Sequence, residues 1–270
     1  MFKEFDIKDL PFYNMLPVGV CSFNDLKNNL FECRAKNRIP KDAKSVIVYL
    51  FPYYLGEEYY KNSNISKYAV PDDYNRICGE YLEKTVLYLR EEYPGNTFEY
   101  FCDNSPIDEV KAACLSGLGV KGENSLLINE IYGSFCFIGE IVTDSDIPVE
   151  KREIANCLKC GLCEKKCINN ALKSGIVDEE RCFSAITQKK GELKEAEAEL
   201  IKISKCIWGC DVCQDICPMN KVIKTSPIKE FYETAKSSYE SDTDYNENRA
   251  FSWRKQDVIN RNLEISGCKF

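Results

Sequence analysis

Four cysteines, Cys157, Cys160, Cys163 and Cys167, follow one another with two, two and three residues between them, and this run constrains the chain more than anything else in it. Three thiolates at that spacing wrap a tight loop around one face of an iron–sulfur cluster. The fourth lies past the turn and points at a second cluster. A second run follows at Cys210, Cys213 and Cys217-Pro218, with Cys182 and Cys206 upstream of it. The crossover rule for such pairs gives Cys157, Cys160, Cys163 and Cys217 to cluster one. It gives Cys167, Cys210 and Cys213 to cluster two, and spacing leaves both Cys182 and Cys206 for the last place. Ile168 stands where proline commonly follows the fourth cysteine. Two all-thiolate zinc sites are the structural alternative, but zinc ribbons favour separated C-x2-C knuckles over four cysteines at this spacing.

The chain of 270 residues has sixteen cysteines and no histidine. The N-terminal Met1-Phe2-Lys3-Glu4 shows no secretory signal, and runs such as Val46–Phe51 are strand-sized, far short of a membrane span. A soluble, cytoplasmic, monomeric protein is expected, and in a reducing compartment clustered cysteines read as metal or redox groups. Without histidine there is no His-ligated zinc, no Rieske centre, no Ser-His-Asp triad and no imidazole ligand for a tetrapyrrole metal. The remaining cysteines (21, 33, 78, 102, 114, 136, 206 and 268) read as small buried filler. A net charge of −7 argues against a generally basic nucleic-acid grip.

Before the cysteines, strand-like and helix-like segments alternate. Ser45–Phe51 is β-branched and almost wholly apolar, a buried strand. Tyr74, Ile77, Cys78, Tyr81, Leu82 and Leu89 fall at helical spacing within residues 72–93, and Pro94-Gly95 ends that helix. Thr97–Cys102 reads as a strand. Ser105 as N-cap, Pro106 at the first position and Gly117 past the end predict a helix over 106–116. Ser125–Asn129 and Ser134–Val142 read as a hairpin about Glu130–Gly133. Leu193, Ala196, Leu200 and Ile203 predict one apolar face of a helix over 193–204. Lys229–Glu247 has six acidic residues (Asp242 among them) against two lysines and reads as a solvated linker or arm.

Asp103 ends a strand and precedes a capped helix, where α/β folds place ligands and catalytic groups. Two adjacent clusters carry electrons and seldom act on a substrate alone, so the first 150 residues are expected to hold a substrate or another redox group.

Cys157–Asn220 closely resembles the double-cluster domain of epoxyqueuosine reductases. The likeness includes Arg181-Cys182, Thr187-Gln188 and Trp208-Gly209-Cys210-Asp211-x-Cys213-Gln214-x-x-Cys217-Pro218-x-Asn220. Upstream, Ile65-Ser66-Lys67-Tyr68-Ala69, Asp73-Tyr74, Asp103-x-x-Pro106, Gly117-Leu118-Gly119, Tyr132-Gly133-Ser134 and Gly139-Glu140 resemble segments of the same family. The resemblance implies a cobamide held by an N-terminal α/β domain and fed with electrons through two [4Fe-4S] clusters. It implies a two-electron reduction of an epoxide to an alkene on a modified tRNA base, the last step of queuosine formation. It implies Asp103 as proton donor and Cys182 as the eighth cluster ligand. The family pattern is departed from at Glu123, which replaces a lysine, and at Asn75, which replaces a histidine. Family members continue into helical repeats that help hold tRNA, so a sequence ending at Phe270 reads as a short form.

The expectation is therefore an α+β or α/β protein of three parts. Residues 1–147 form an α/β domain for cofactor and substrate, 148–222 a ferredoxin-like domain with two [4Fe-4S] clusters, and 223–270 an acidic linker and C-terminal tail. A ferredoxin or flavodoxin is the expected electron donor, and tRNA the substrate that the resemblance implies. A small organic substrate for the same cofactors, or a non-enzymatic electron carrier, are the competing functions.

Overall fold

A run of eight residues, Ser45–Pro52, organises the protein. All eight are buried, which makes the strand they form, β2, an inner one. In a computed structural model, which describes residues 5–149, 156–241 and 244–267, β2 lies in a four-stranded sheet. The order is β1 (Val18–Ser22), β2, β6 (Cys136–Thr143) and β3 (Phe98–Cys102), and every neighbouring pair is antiparallel. Successive strand side chains face opposite ways. Ile47, Tyr49 and Phe51 therefore enter one core, and Val46, Val48 and Leu50 the other. Helix α1 (Tyr74–Glu92) covers the first face through Ile77, Cys78, Leu82, Val86 and Leu89. Helix α2 (Glu109–Leu115) covers the second through Ala112 and Ala113. The result is a three-layer α+β arrangement.

Helix α1 matches the sequence periodicity and starts at an Asp73 cap, whose side chain accepts the Asn75 N–H. Helix α2 starts later than the sequence suggests. Asp108, not Ser105, is the N-cap and accepts from Lys111 N at 3.0 Å. Ser105 Oγ instead accepts from Ile107 N and closes a turn before the helix. The expected hairpin over 125–142 does not form. Strand β5 (Leu127–Ile128) pairs with β4 (Val120–Lys121), β6 joins the main sheet, and a single Asn129–Gly133 bridge closes the turn between them. The long β6 gains more from pairing on both sides, with β2 and β3, than from a local partner. Because the sheet is antiparallel, the carboxyl-edge rule for parallel sheets does not place Asp103; the β3–α2 turn does.

The cysteine-rich part is built from short elements. They are α3 (Leu162–Lys166), β7 (Leu172–Lys173), β8 (Ile176–Val177), α4 (Phe183–Thr187), α5 (Glu195–Ser204) and α6 (Val212–Asp215). In α5 the buried positions are Glu197 and Ile201, while Ile203 is 72% exposed. The inward face is thus rotated from the one the apolar spacing suggests. Glu197 is tolerated inside because Lys189 Nζ reaches it at 2.5 Å and it closes the helix start at Lys194 N.

Lys229–Glu247 is not a solvated arm. Helix α7 (Lys229–Glu233) buries Phe231, and Tyr239, Phe251, Val258 and Ile259 enter the same core as Ile47 and Tyr49. Each such aromatic or branched side chain contributes about 1.5–3 kcal/mol by leaving water. Acidic residues on a short segment do not make it a linker when its apolar residues are spaced to reach a core. Asp242, Cys268 and the first four residues lie outside the described residues. Among those described, no helix is long and apolar enough to cross a membrane. Of the non-cluster cysteines, Cys21 and Cys78 are buried filler, and the other described ones are half-buried.

Candidate functional site: two thiol cavities and an aromatic chamber

The cysteines gather into two cavities. One, of about 20 Å³, is lined by Cys157, Cys160, Cys163 and Cys217, with Leu158, Gly161 and Met219. The other, of about 370 Å³, has Cys167, Cys182, Cys210 and Cys213 in its wall. Each brings together four thiols, the donor set of a [4Fe-4S] cluster, and the second has Cys136 as a fifth cysteine on its far side. Cys206 lines neither cavity, and its thiol donates instead to the carbonyls of Trp208 and Gly209. Cys167 Sγ accepts the Ala171 N–H at 3.2 Å, the kind of bond that tunes a cluster thiolate. Burial pushes Cys210 up to about 12, so metal ligation is what would make it a thiolate.

The loop of Cys210 and Cys213 is tied to the N-terminal half. Ile65 bridges to Trp208, and Ser66 N donates to Trp208 O at 2.8 Å. Asp211 accepts from Ser66 Oγ and from Lys67 N, both at 2.7 Å. Lys67 Nζ, nearly buried, lies 4.0 Å from Asp211 and 2.7 Å from Asp215. Gly209 has φ +76°, and a Cβ there would sit 2.4 Å from Ser66 Cβ. Ser134 and Asn220 close the other side. Asn220 Oδ1 accepts from Ser134 N at 2.8 Å, and Gln214 Oε1 accepts from Ser134 Oγ at 3.0 Å and from Tyr53 Oη at 3.3 Å. From the tail, helix α8 (Gln256–Ser266) supplies Asn262, which donates to Thr187 O and Ile207 O. The motif residues upstream of the cysteines thus act as struts for the second cavity.

The second cavity exceeds the first by more than an order of magnitude in volume, and the excess is chamber rather than thiol. Tyr53, Tyr68, Phe137, Leu126 and Cys136 form its far wall. Such an apolar wall with few polar groups is the usual character of a cofactor pocket. It suits the flat face of a cobamide beside the thiols of cluster two. With no histidine in the chain, the protein offers no imidazole to its cobalt.

Asp103 does not line this chamber. It is exposed, at φ +52°, with Asn104 at φ +41° after it, so the turn is held in a region that L residues seldom adopt. Tyr74 links it to the chamber. Tyr74 Oη donates to Asp103 Oδ2 at 2.7 Å, and its ring stacks on Phe137 at 4.1 Å and 9°. Burial and the Asp103 carboxylate push the Tyr74 phenol well up, which keeps it a donor.

Sequence reasoning gave no chemical role to two carboxyls behind Asp103. Glu140 is fully buried in β6, and neither of its oxygens has a hydrogen-bond partner. Glu109, at the start of α2, also has a buried oxygen without a partner. Burial, with Asp103 next, pushes Glu109 up to about 8, and burial with Glu109 pushes Glu140 well up. An acid alone among apolar residues in Cys136–Thr143 was the available signal.

Residues 156–220 match a family described as 4Fe-4S double cluster binding domain, and residues 34–104 match one described as epoxyqueuosine reductase QueG. An epoxyqueuosine reductase of Cyclobacterium marinum is 33% identical over 83% of this chain and 74% of its own length. One from Aliivibrio fischeri is 34% identical over 62% of this chain, which spans only 45% of that enzyme. The fold matches an epoxyqueuosine reductase crystallised with an epoxyqueuosine-modified tRNA-Tyr stem loop. The TM-score is 0.76 at 21% identity, covering 93% of this chain and 76% of the other.

Proposed function

This chain belongs to the epoxyqueuosine reductase family, and from that premise we propose that it reduces the epoxide of epoxyqueuosine in tRNA to the alkene. The observation that carries the assignment is the pair of four-thiol cavities, one of which opens into an aromatic chamber linked through Tyr74 to Asp103.

The protein's parts follow from that layout. Cys157, Cys160, Cys163 and Cys217 hold the outer [4Fe-4S] cluster; Cys167, Cys182, Cys210 and Cys213 hold the inner one. A bound cobamide supplies the strongly reducing metal centre that the two-electron step needs. Tyr53, Tyr68 and Phe137 provide its apolar contact surface and exclude water. Asp103 donates a proton to the substrate oxygen, and Tyr74 fixes the carboxyl that does so.

Electrons arrive from a protein carrier such as a ferredoxin or flavodoxin. Cys160 is exposed at the outer site, and Lys159, Lys165 and Lys166 are exposed beside it in a chain of net charge −7. That local basic face favours an acidic carrier. A tRNA substrate puts this work in the cytoplasm. The test is anaerobic incubation of the iron- and cobamide-loaded chain with a reductant and an epoxyqueuosine-containing stem loop. Mass analysis of the nucleoside is expected to show loss of the epoxide oxygen. An unchanged nucleoside with all cofactors bound overturns the assignment.

A further inference from the structure

Removing an epoxide oxygen as water consumes two electrons and two protons, and a single carboxyl such as Asp103 can pass only one proton at a time. Its carboxyl is exposed in the free protein; under the proposed function the bound base would cover it and shut out solvent. The second proton then has to come from the protein side of the turn.

That side holds two acids. Glu140 is the fifth residue of β6, opposite Val48 on one neighbour and Phe101 on the other. It is 0% exposed and both carboxyl oxygens are without partners. An ionised carboxylate in such a place is prohibitively costly, whereas a protonated one is tolerable. Glu109 faces it from α2 with one buried oxygen unpartnered. The main-chain N–H of Asp103 faces the Glu109 carboxyl and favours its anion, without offsetting burial and the Asp103 charge. The other groups about the pair are Asp108 of α2, Cys102 of β3, Cys21 of β1 and the Ser105 hydroxyl. None is a cation, so nothing there neutralises an anion except a proton.

We propose that Glu109, half-buried at the start of α2, and the fully buried Glu140 form an acid pair that stores the second proton of the reduction and delivers it to Asp103. The inference rests on the reading of this chain as an epoxide reductase. Asp103 gives its proton to the substrate oxygen and becomes a carboxylate. Glu109 transfers its proton to Asp103 and becomes a carboxylate in turn, with Glu140 staying neutral beside it. Asp103 then gives the second proton, and water leaves. After product departs, solvent reprotonates the turn and the pair. Glu109 and Glu140 act through Asp103 and touch no substrate.

The experiment has two arms on the intact, loaded chain. Infrared difference spectra over pH, which need no turnover, are expected to show a protonated carboxyl at pH 7 that disappears above about pH 8 and is absent in E109Q/E140Q. The second arm is single turnover against pH. The wild-type rate is expected to hold to about pH 8. E109Q, which keeps the shape and lacks the transferable proton, is expected to be about tenfold or more slower throughout. Wild-type rates and pH profile in E109Q would overturn the proton store, as would absence of the infrared band from the wild type. Failure of the wild-type chain to reduce any epoxide, with the band present, would instead overturn the function on which the store depends.

Discussion

The two cysteine sites share a ligand set and differ in nearly everything around it. The outer cavity is about 20 Å³ and is walled by the two cysteine runs with Glu123, Asn124 and Ile128, with Cys160 exposed and three lysines beside it. The inner one is about 370 Å³, is walled by residues from both halves of the chain, and is braced by a nearly buried ion pair. Identical chemistry is thus given opposite orientations. On the proposed function, the first site would receive electrons at its exposed Cys160 and the second would pass them toward the chamber. The surroundings, not the ligands, assign direction.

The largest expected effect falls on the inward side. Asp103→Asn keeps the turn's hydrogen-bonding shape and removes its acid, and turnover is expected to fall about 10²–10⁴-fold. Both cluster absorptions should persist, since Asp103 contacts no cysteine of either cavity. A loss of either cluster would show that the turn and the thiol sites are one unit.

Lys67→Met separates the sites next. It leaves Asp211 without its cation in a place where burial already raises that carboxyl, and a broken buried pair costs about 3–5 kcal/mol. Electron paramagnetic resonance is expected to show the inner cluster lost and the outer one retained. Equal loss of both would erase the structural distinction between them.

The acid pair gives a pH-dependent effect of similar size. Glu109 is raised from an ordinary 4.5 to about 8. The folded chain therefore holds a proton that the unfolded chain releases, so stability falls as pH rises through that window. The slope is roughly 1.4 kcal/mol per pH unit for one such group. E140Q and E109Q are expected to flatten the pH dependence of the unfolding midpoint and to raise it at pH 8. A midpoint equally pH-dependent in the double variant contradicts the protonated pair.

On the outward side, Lys159→Glu with Lys165→Glu should slow reduction by an acidic carrier about tenfold at low salt, with the difference vanishing at high salt. Reduction by dithionite should not change. Smallest of all, Ile203→Glu is expected to shift stability by less than about 0.5 kcal/mol, because that side chain already meets solvent.

How much of this was legible depends on range. Cluster spacing is local, so eight cysteines and their crossover could be written down from sequence, with Cys182 supplied by family resemblance; the cavities bring together those same residues. The inner strand Ser45–Pro52 was legible because it is apolar on both faces. The 125–142 hairpin that local spacing suggests does not form, because β6 trades its near neighbour for β2 and β3. The acidic tail reads as a linker from its charge, yet Phe231, Tyr239 and, just beyond it, Phe251 fix it to the core. Asp103 stands out in the sequence as a candidate at a strand end, but Tyr74's bond to it and the Glu109–Glu140 pair arise only once the sheet and two helices are assembled.

The most direct test of the inward–outward distinction is the cobalt resonance of the chain loaded with iron and cobamide and partly reduced. The cobalt signal is expected to be broadened by the neighbouring inner cluster, unaffected by Cys160→Ser and sharpened by Cys213→Ser. A cobalt signal indifferent to Cys213→Ser and altered by Cys160→Ser would reverse the direction assigned to the two sites.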